Sequence, residues 1–152
     1  MDQFVRAIMR QGKLATAQKH TNLALTQLSR LPPVQLASST TSTTTTTGSV
    51  LLFEQALEKI APLVKTTSSR LGSRIVLAPK PLSQRQRMRL ACVWVGQLAS
   101  KNTCKQPLGL RIAGVVKGVL DGTSPLIQKR DGVHKQALAN RSNLVLQDRK
   151  AR

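Results

Sequence analysis

The chain has 152 residues, enough for one domain with its own core, and 40% of them are hydrophobic. Aromatic residues are scarce, with one Trp, two Phe and no Tyr, so the core must be aliphatic and a sheet that stacks bases on surface aromatics is disfavoured. Twenty-four Lys and Arg stand against six acids, a formal net charge of +18, which selects a polyanionic partner.

The charge is also one-sided. No acid lies between Glu58 and Asp121, while that stretch carries a succession of lysines and arginines. An ordinary solvated surface mixes both signs.

In chain order, residues 3 to 29 read as a first helix. Phe4, Val5, Ile8 and Met9, then Leu14, Ala17, Thr21, Leu25 and Leu28, fall at helical spacing, and Gly12 marks a bend. Leu31-Pro32-Pro33 ends it. Residues 32 to 49 read as a Pro/Ser/Thr-rich loop insertion, a neutral spacer with nothing to bury. Val50 to Ala61 form a second helix, with Phe53, Ala56, Leu57 and Ile60 on one face, Ser49 as its cap and Pro62 as its stop.

From residue 63 to 80 the pattern changes to Thr, Val and Ser about a turn at Leu71-Gly72-Ser73. It predicts a β-hairpin arm standing away from the helices. Residues 83 to 100 are a third helix, with Leu90, Ala91, Trp94 and Leu98 inward. Residues 106 to 120 are a fourth, with Leu108, Ile112, Val115, Val116 and Val119 inward. Its Gly109, Gly114 and Gly118 are spaced to let a neighbouring helix come close. A last helix is expected from Asp131 to Gln147, with Val133, Ala137 and Leu144 inward. The fold class is mainly α: a single-domain helical bundle of about five to six helices with a protruding two-stranded β-hairpin.

Nothing in the sequence makes an enzyme. The acids are too few for a carboxylate pair, His20 and His134 stand alone, and no P-loop, dinucleotide fingerprint or HExxH occurs. Cys92 and Cys104 lack the paired spacing of a zinc site. Cys92 reads as a small buried hydrophobe and Cys104 as a loop thiol. No cofactor and no membrane span are expected.

The basic residues read instead as phosphate ligands. Arg70 and Arg74 flank the hairpin turn, and Lys65 and Lys80 sit at its base. Arg85, Arg87 and Arg89 are two apart, which fans them in several directions on a helix and lines them up on an extended segment. Arg10, Lys13 and Lys19 charge the first helix. Lys129, Arg130, Lys135 and Arg141 add charge near the last.

This order of features resembles the S-seven family of small-subunit ribosomal proteins. Met9, Gly12 and Lys13 match its Met-x-x-Gly-Lys signature. Residues 53 to 94 align with its second helix, ribbon and third helix without gaps, including Pro79, Arg87, Leu90, Ala91 and Trp94. Residues 129 to 140 match its Lys-Arg-(acid)-x-x-His-x-x-Ala-x-Ala-Asn signature.

The resemblance implies a helical bundle with a β-ribbon that binds the 3′ major domain of small-subunit rRNA. It implies a role in assembling the subunit head, beside the exit-site tRNA and the mRNA path and against neighbouring head and platform proteins. It places Lys65 to Lys80 and the face of Arg10 and Lys13 on rRNA. The chain departs from the pattern in several places. Gly72-Ser73 replaces a paired glycine, Lys65 and Pro81 replace glutamates, the basic segment ahead of the first helix and the aromatic tail have no counterpart, and the Ser/Thr tract is an addition. This drift points to an organellar ribosome, mitochondrial first, with plastid or bacterial cytoplasm as the alternative. Residues 1 to 30 also fit a mitochondrial leader in composition, but the Gly12-Lys13 match favours the family's first helix.

Two readings from other classes stay open: a helix-turn-helix DNA-binding module made by the third and fourth helices, and a basic membrane-surface protein.

Overall fold

The computed structural model describes residues 1–30, 45–71, 73–101 and 105–144. The helix stop at Pro32-Pro33, most of the Ser/Thr tract, Gly72, Cys104 and the last eight residues fall outside them.

Among the described residues the chain runs α1 (Asp2–Ile8), α2 (Leu14–Ser29), α3 (Thr45–Ile60), β1 (Val64–Leu71), β2 (Arg74–Pro81), α4 (Gln84–Lys101), α5 (Leu108–Leu120) and α6 (Pro125–Ala139). A 3₁₀ turn follows at Arg141–Asn143. The expected mainly-α bundle with one antiparallel hairpin is what forms.

Helix α5 is the centre. It is apolar on nearly every side, buries Ile112, Ala113, Val115, Val116 and Val119, and packs on α2, α3 and α4. Around it lie Leu28 of α2, Phe53 and Ile60 of α3, and Ala91, Trp94 and Val95 of α4. Phe4 of α1 meets Phe53 edge to face, ring centroids 4.6 Å apart. Each large side chain buried this way contributes about 1.5–3 kcal/mol.

Of the three glycines in α5, one makes a close approach. A Cβ on Gly109 would lie 2.6 Å from the His20 carbonyl oxygen and 2.9 Å from the Leu23 Cβ, so α2 crosses directly against its backbone. Gly114 has nothing within 4 Å, and Gly118 only an ordinary contact with Thr123 and Ser124, so the expectation holds at Gly109 alone.

Several boundaries differ from the sequence reading. The first helix is two. Gln11 and Gly12 take φ of 53° and 70°, and that left-handed pair breaks the hydrogen-bond ladder between Ile8 and Leu14. The apolar stripe of α2 is therefore Ala17, Thr21, Ala24 and Leu28, and Leu14 in its first turn is exposed, as is Met9 at the break. Helix α3 starts at Thr45, so the end of the Ser/Thr tract is helical and not loop. Ser49 is buried within the helix and is not its cap.

The last helix starts at Pro125, not at Asp131, and ends at Ala139. Ser124 caps it by accepting from the Leu126 N–H, and Pro125 at the first turn gives up no needed donor. Val133 and Ala137 do pack inward, but Leu144 lies past the helix end and is exposed.

The hairpin does not stand clear of the helices. Helix α6 packs on both strands, the Leu63 N–H donates to His134 Nε2 at 3.1 Å, and Asn143 Nδ2 donates to the Leu77 carbonyl at 2.8 Å. Ala78 is buried, while Ile75 and Leu77 on the other face of the strand are 68% and 46% exposed. One face of the ribbon rests on α6, and the tip projects.

Candidate nucleic-acid interface

The ribbon's register decides how its cations are shared. Antiparallel partners point to one face, and Lys65 stands opposite Lys80 and Leu71 opposite Arg74. Lys65, Lys80 and Arg74 therefore belong to one face. Arg70, opposite Ile75, belongs to the other. The tip thus offers a guanidinium on each side, and both bracketing residues are exposed.

Helix α4 covers the arginines spaced two apart, so they fan. Arg85 and Arg89, four apart, share a face. With Arg6 of α1 they line a broad groove whose one acid is Asp2. Arg87 turns away, half-buried, and its Nη1 donates to Gln84 Oε1 at 2.9 Å.

A second concavity, a cleft of about 440 Å³, opens where α1, the α1–α2 break, α2, α4 and α5 meet. Arg10, Lys13 and Arg111 rim it, and no acid lines it. Arg10 Nη2 donates to Ser100 Oγ at 3.2 Å, which ties the break to α4. The groove and the cleft share Ala7 and Val93, so they adjoin along the α1–α4 seam.

The cations of α6 divide by task. Lys129 lies over the Trp94 ring, 4.7 Å from its centroid. Its burial there, and then Lys101 nearby, lower its pKa from the usual lysine value. Arg130 is engaged with Asp131, Nη2 to Oδ1 at 2.7 Å, and donates through Nη1 to the Lys59 carbonyl at the end of α3. Lys135 and Arg141 are exposed, as is Lys19 on α2. His134 is the acceptor at the hairpin base described above, and Cys92 is buried, as the sequence suggests.

Arg6 and Arg111 were not among the residues the sequence singled out. Arg6 was detectable as the residue one turn before Arg10. Arg111 sits in the most apolar helix, and only the crossing of α2 over α5 brings it to the cleft.

Among the described residues no cluster of His, Cys, Asp and Glu could hold a metal ion, and no helix is long and apolar enough to cross a membrane. What the surface offers is guanidinium and ammonium groups on a ribbon, a seam and a cleft.

These features define a basic helical protein with a β-ribbon arm, built to meet a polyanion. The model of the ribosomal protein S7p/S5e family matches residues 1–141, and the chain belongs to that family. It is 29% identical over 139 residues to small ribosomal subunit protein uS7 of Psychrobacter cryohalolentis, covering 91% of this chain and 80% of that one. It is 30% identical over 141 residues to small ribosomal subunit protein uS7m of Schizosaccharomyces pombe, covering 92% of this chain and 49% of that one. Over a shorter stretch of 91 residues it is 36% identical to small ribosomal subunit protein uS7 of Pseudomonas fluorescens, covering 60% of this chain and 57% of that one.

Proposed function

We propose that this chain is a structural constituent of the small ribosomal subunit that binds the 3′ major domain of its rRNA, aids assembly of the head and performs no catalysis. The observation that carries the reading is the family match across residues 1–141, on a chain whose ribbon, seam and cleft are all lined by cations. Binding is dominated by phosphate neutralisation, with RNA shape recognised more than base edges.

The contacts fall on Lys65, Arg70, Arg74 and Lys80 of the ribbon, on Arg10, Lys13 and Lys19, on Arg85 and Arg89, and on Lys135 and Arg141. Arg87, Lys129 and Arg130, which meet Gln84, Trp94 and Asp131 in the free protein, belong to the same basic surface and complete the footprint. The ribbon tip reaches toward the exit-site tRNA and the mRNA path, and neighbouring head and platform proteins complete the surroundings. The resemblance to a mitochondrial uS7m supports a place in the mitoribosome, with a bacterial-type ribosome as the alternative.

The helix-turn-helix reading loses its support, because α5 would be the recognition helix and is instead the buried centre of the fold.

Binding of the chain to a small-subunit rRNA transcript, titrated against salt, tests the function. The expected result is tight binding with a steep log–log slope, about −0.7 to −0.9 per phosphate neutralised, and preference over duplex DNA. Equal affinity for rRNA and random DNA would contradict it.

A further inference from the structure

The cleft rimmed by Arg10, Lys13 and Arg111 holds more than a phosphate site requires. We propose that it seats one unstacked nucleotide of the bound RNA, its phosphate on the rim and its base against the inner wall. The proposal rests on the rRNA-binding reading and deepens it.

Four observations carry it. The first is size: about 440 Å³ lies within the ~300–1,000 Å³ of small-molecule sites and far exceeds a lone phosphate.

The second is the division of the lining. Ile8, Val93 and Leu108 give apolar wall, which an anion alone would gain nothing from facing. A nucleobase has two apolar faces and matches it.

The third is polar edge. Gln97 and Thr16, both exposed, and the half-buried His20 also line the cleft. An amide offers both donor and acceptor to a base edge, and unstacked bases are read along such edges.

The fourth is the sign of the rim. Helix α2 begins here with Lys13 at its N-cap position, no side-chain cap and no acid in its first turn, so the positive end of the helix adds to three cations. A negative group there would meet attraction from the cations and from the helix end alike.

The test compares rRNA-transcript binding for the unmodified chain, Arg111→Gln, Gln97→Ala and Gly96→Leu, each across a salt series. Gln97 is on the exposed wall, so its loss leaves the core alone. Leucine at Gly96, a lining residue, occupies space in the cleft, and its Cβ meets Ile8 Cγ1 at an ordinary 3.6 Å. The expected result is that Gln97→Ala weakens binding roughly fivefold, the size of one lost net hydrogen bond, that Gly96→Leu weakens it by blocking the base, and that both leave the salt slope unchanged. Arg111→Gln should weaken it and flatten the slope by about 0.7–0.9.

If Gln97→Ala binds like the unmodified chain while Arg111→Gln flattens the slope, the cleft takes a phosphate alone and the proposal is overturned. It is also overturned if Arg111→Gln changes nothing. Should Gly96→Leu fail to fold, Gln97→Ala decides. Failure of the unmodified chain to bind rRNA is a separate result, which removes the proposed function itself.

Discussion

Lys65 and Lys80 are direct partners across the two strands of the ribbon, both exposed and both on the face that also carries Arg74. Like charges directly opposite each other in a sheet oppose its pairing. The free ribbon is therefore held together against its own charge, and in the proposed rRNA complex a phosphate between the lysines would turn that cost into an attraction.

Lys80→Glu should accordingly have two opposite effects. It makes a cross-strand ion pair and stabilises the free protein by about 0.2–1 kcal/mol. It also weakens rRNA binding and flattens the salt slope. A thermal melt and a filter-binding series on one preparation check both signs.

The glycines of α5 predict opposite outcomes for one substitution. Gly109→Ala places a methyl 2.6 Å from a backbone oxygen of α2, which cannot rotate away, so the helices must part. A loss of about 1–3 kcal/mol is expected. Gly114→Ala meets nothing within 4 Å and should gain up to about 1 kcal/mol from helix propensity. Urea unfolding of the two variants measures the contrast.

His134 fixes the hairpin's departure from α3 by accepting the Leu63 N–H. His134→Ala removes the acceptor and should cost about 1 kcal/mol. Faster amide exchange at Leu63, with exchange in α5 little changed, would be the local signature.

Burial raises the Cys92 thiol from 9.0 to about 11. Both the folded and the unfolded chain hold this proton below pH 9. Between pH 9 and about 11 only the unfolded chain releases it, so stability falls as pH rises through that window. Relative to Cys92→Ala, the chain should lose on the order of 2 kcal/mol there. Below pH 9 in a Cys104→Ser background, Cys92 should resist alkylation until the protein unfolds.

Much of this was legible in the sequence because period and punctuation agree with the fold. The face of α3, that of α4 apart from Leu90, which stays half-buried outside the core, the strand limits and the buried Cys92 follow from spacing alone. The failures have physical causes. A stripe running through Gly12 looks continuous, yet the left-handed Gln11–Gly12 pair splits it. The last helix begins six residues before its expected start because the cap at Ser124 and the proline at Pro125, not the charged run behind them, set its first turn. Other contacts are simply invisible to spacing: Arg130 reads as a phosphate ligand in that run, and the packed structure adds Asp131 and the Lys59 carbonyl as its partners in the free protein. Arg111 became visible only with the α2–α5 crossing.

A constituent of the small ribosomal subunit, as proposed for this chain, should travel with that particle. Sedimentation of the tagged protein from a cell lysate through a high-salt sucrose gradient tests it most directly. Co-migration with the small subunit and its rRNA is expected. Migration as free protein at the top of the gradient would contradict it.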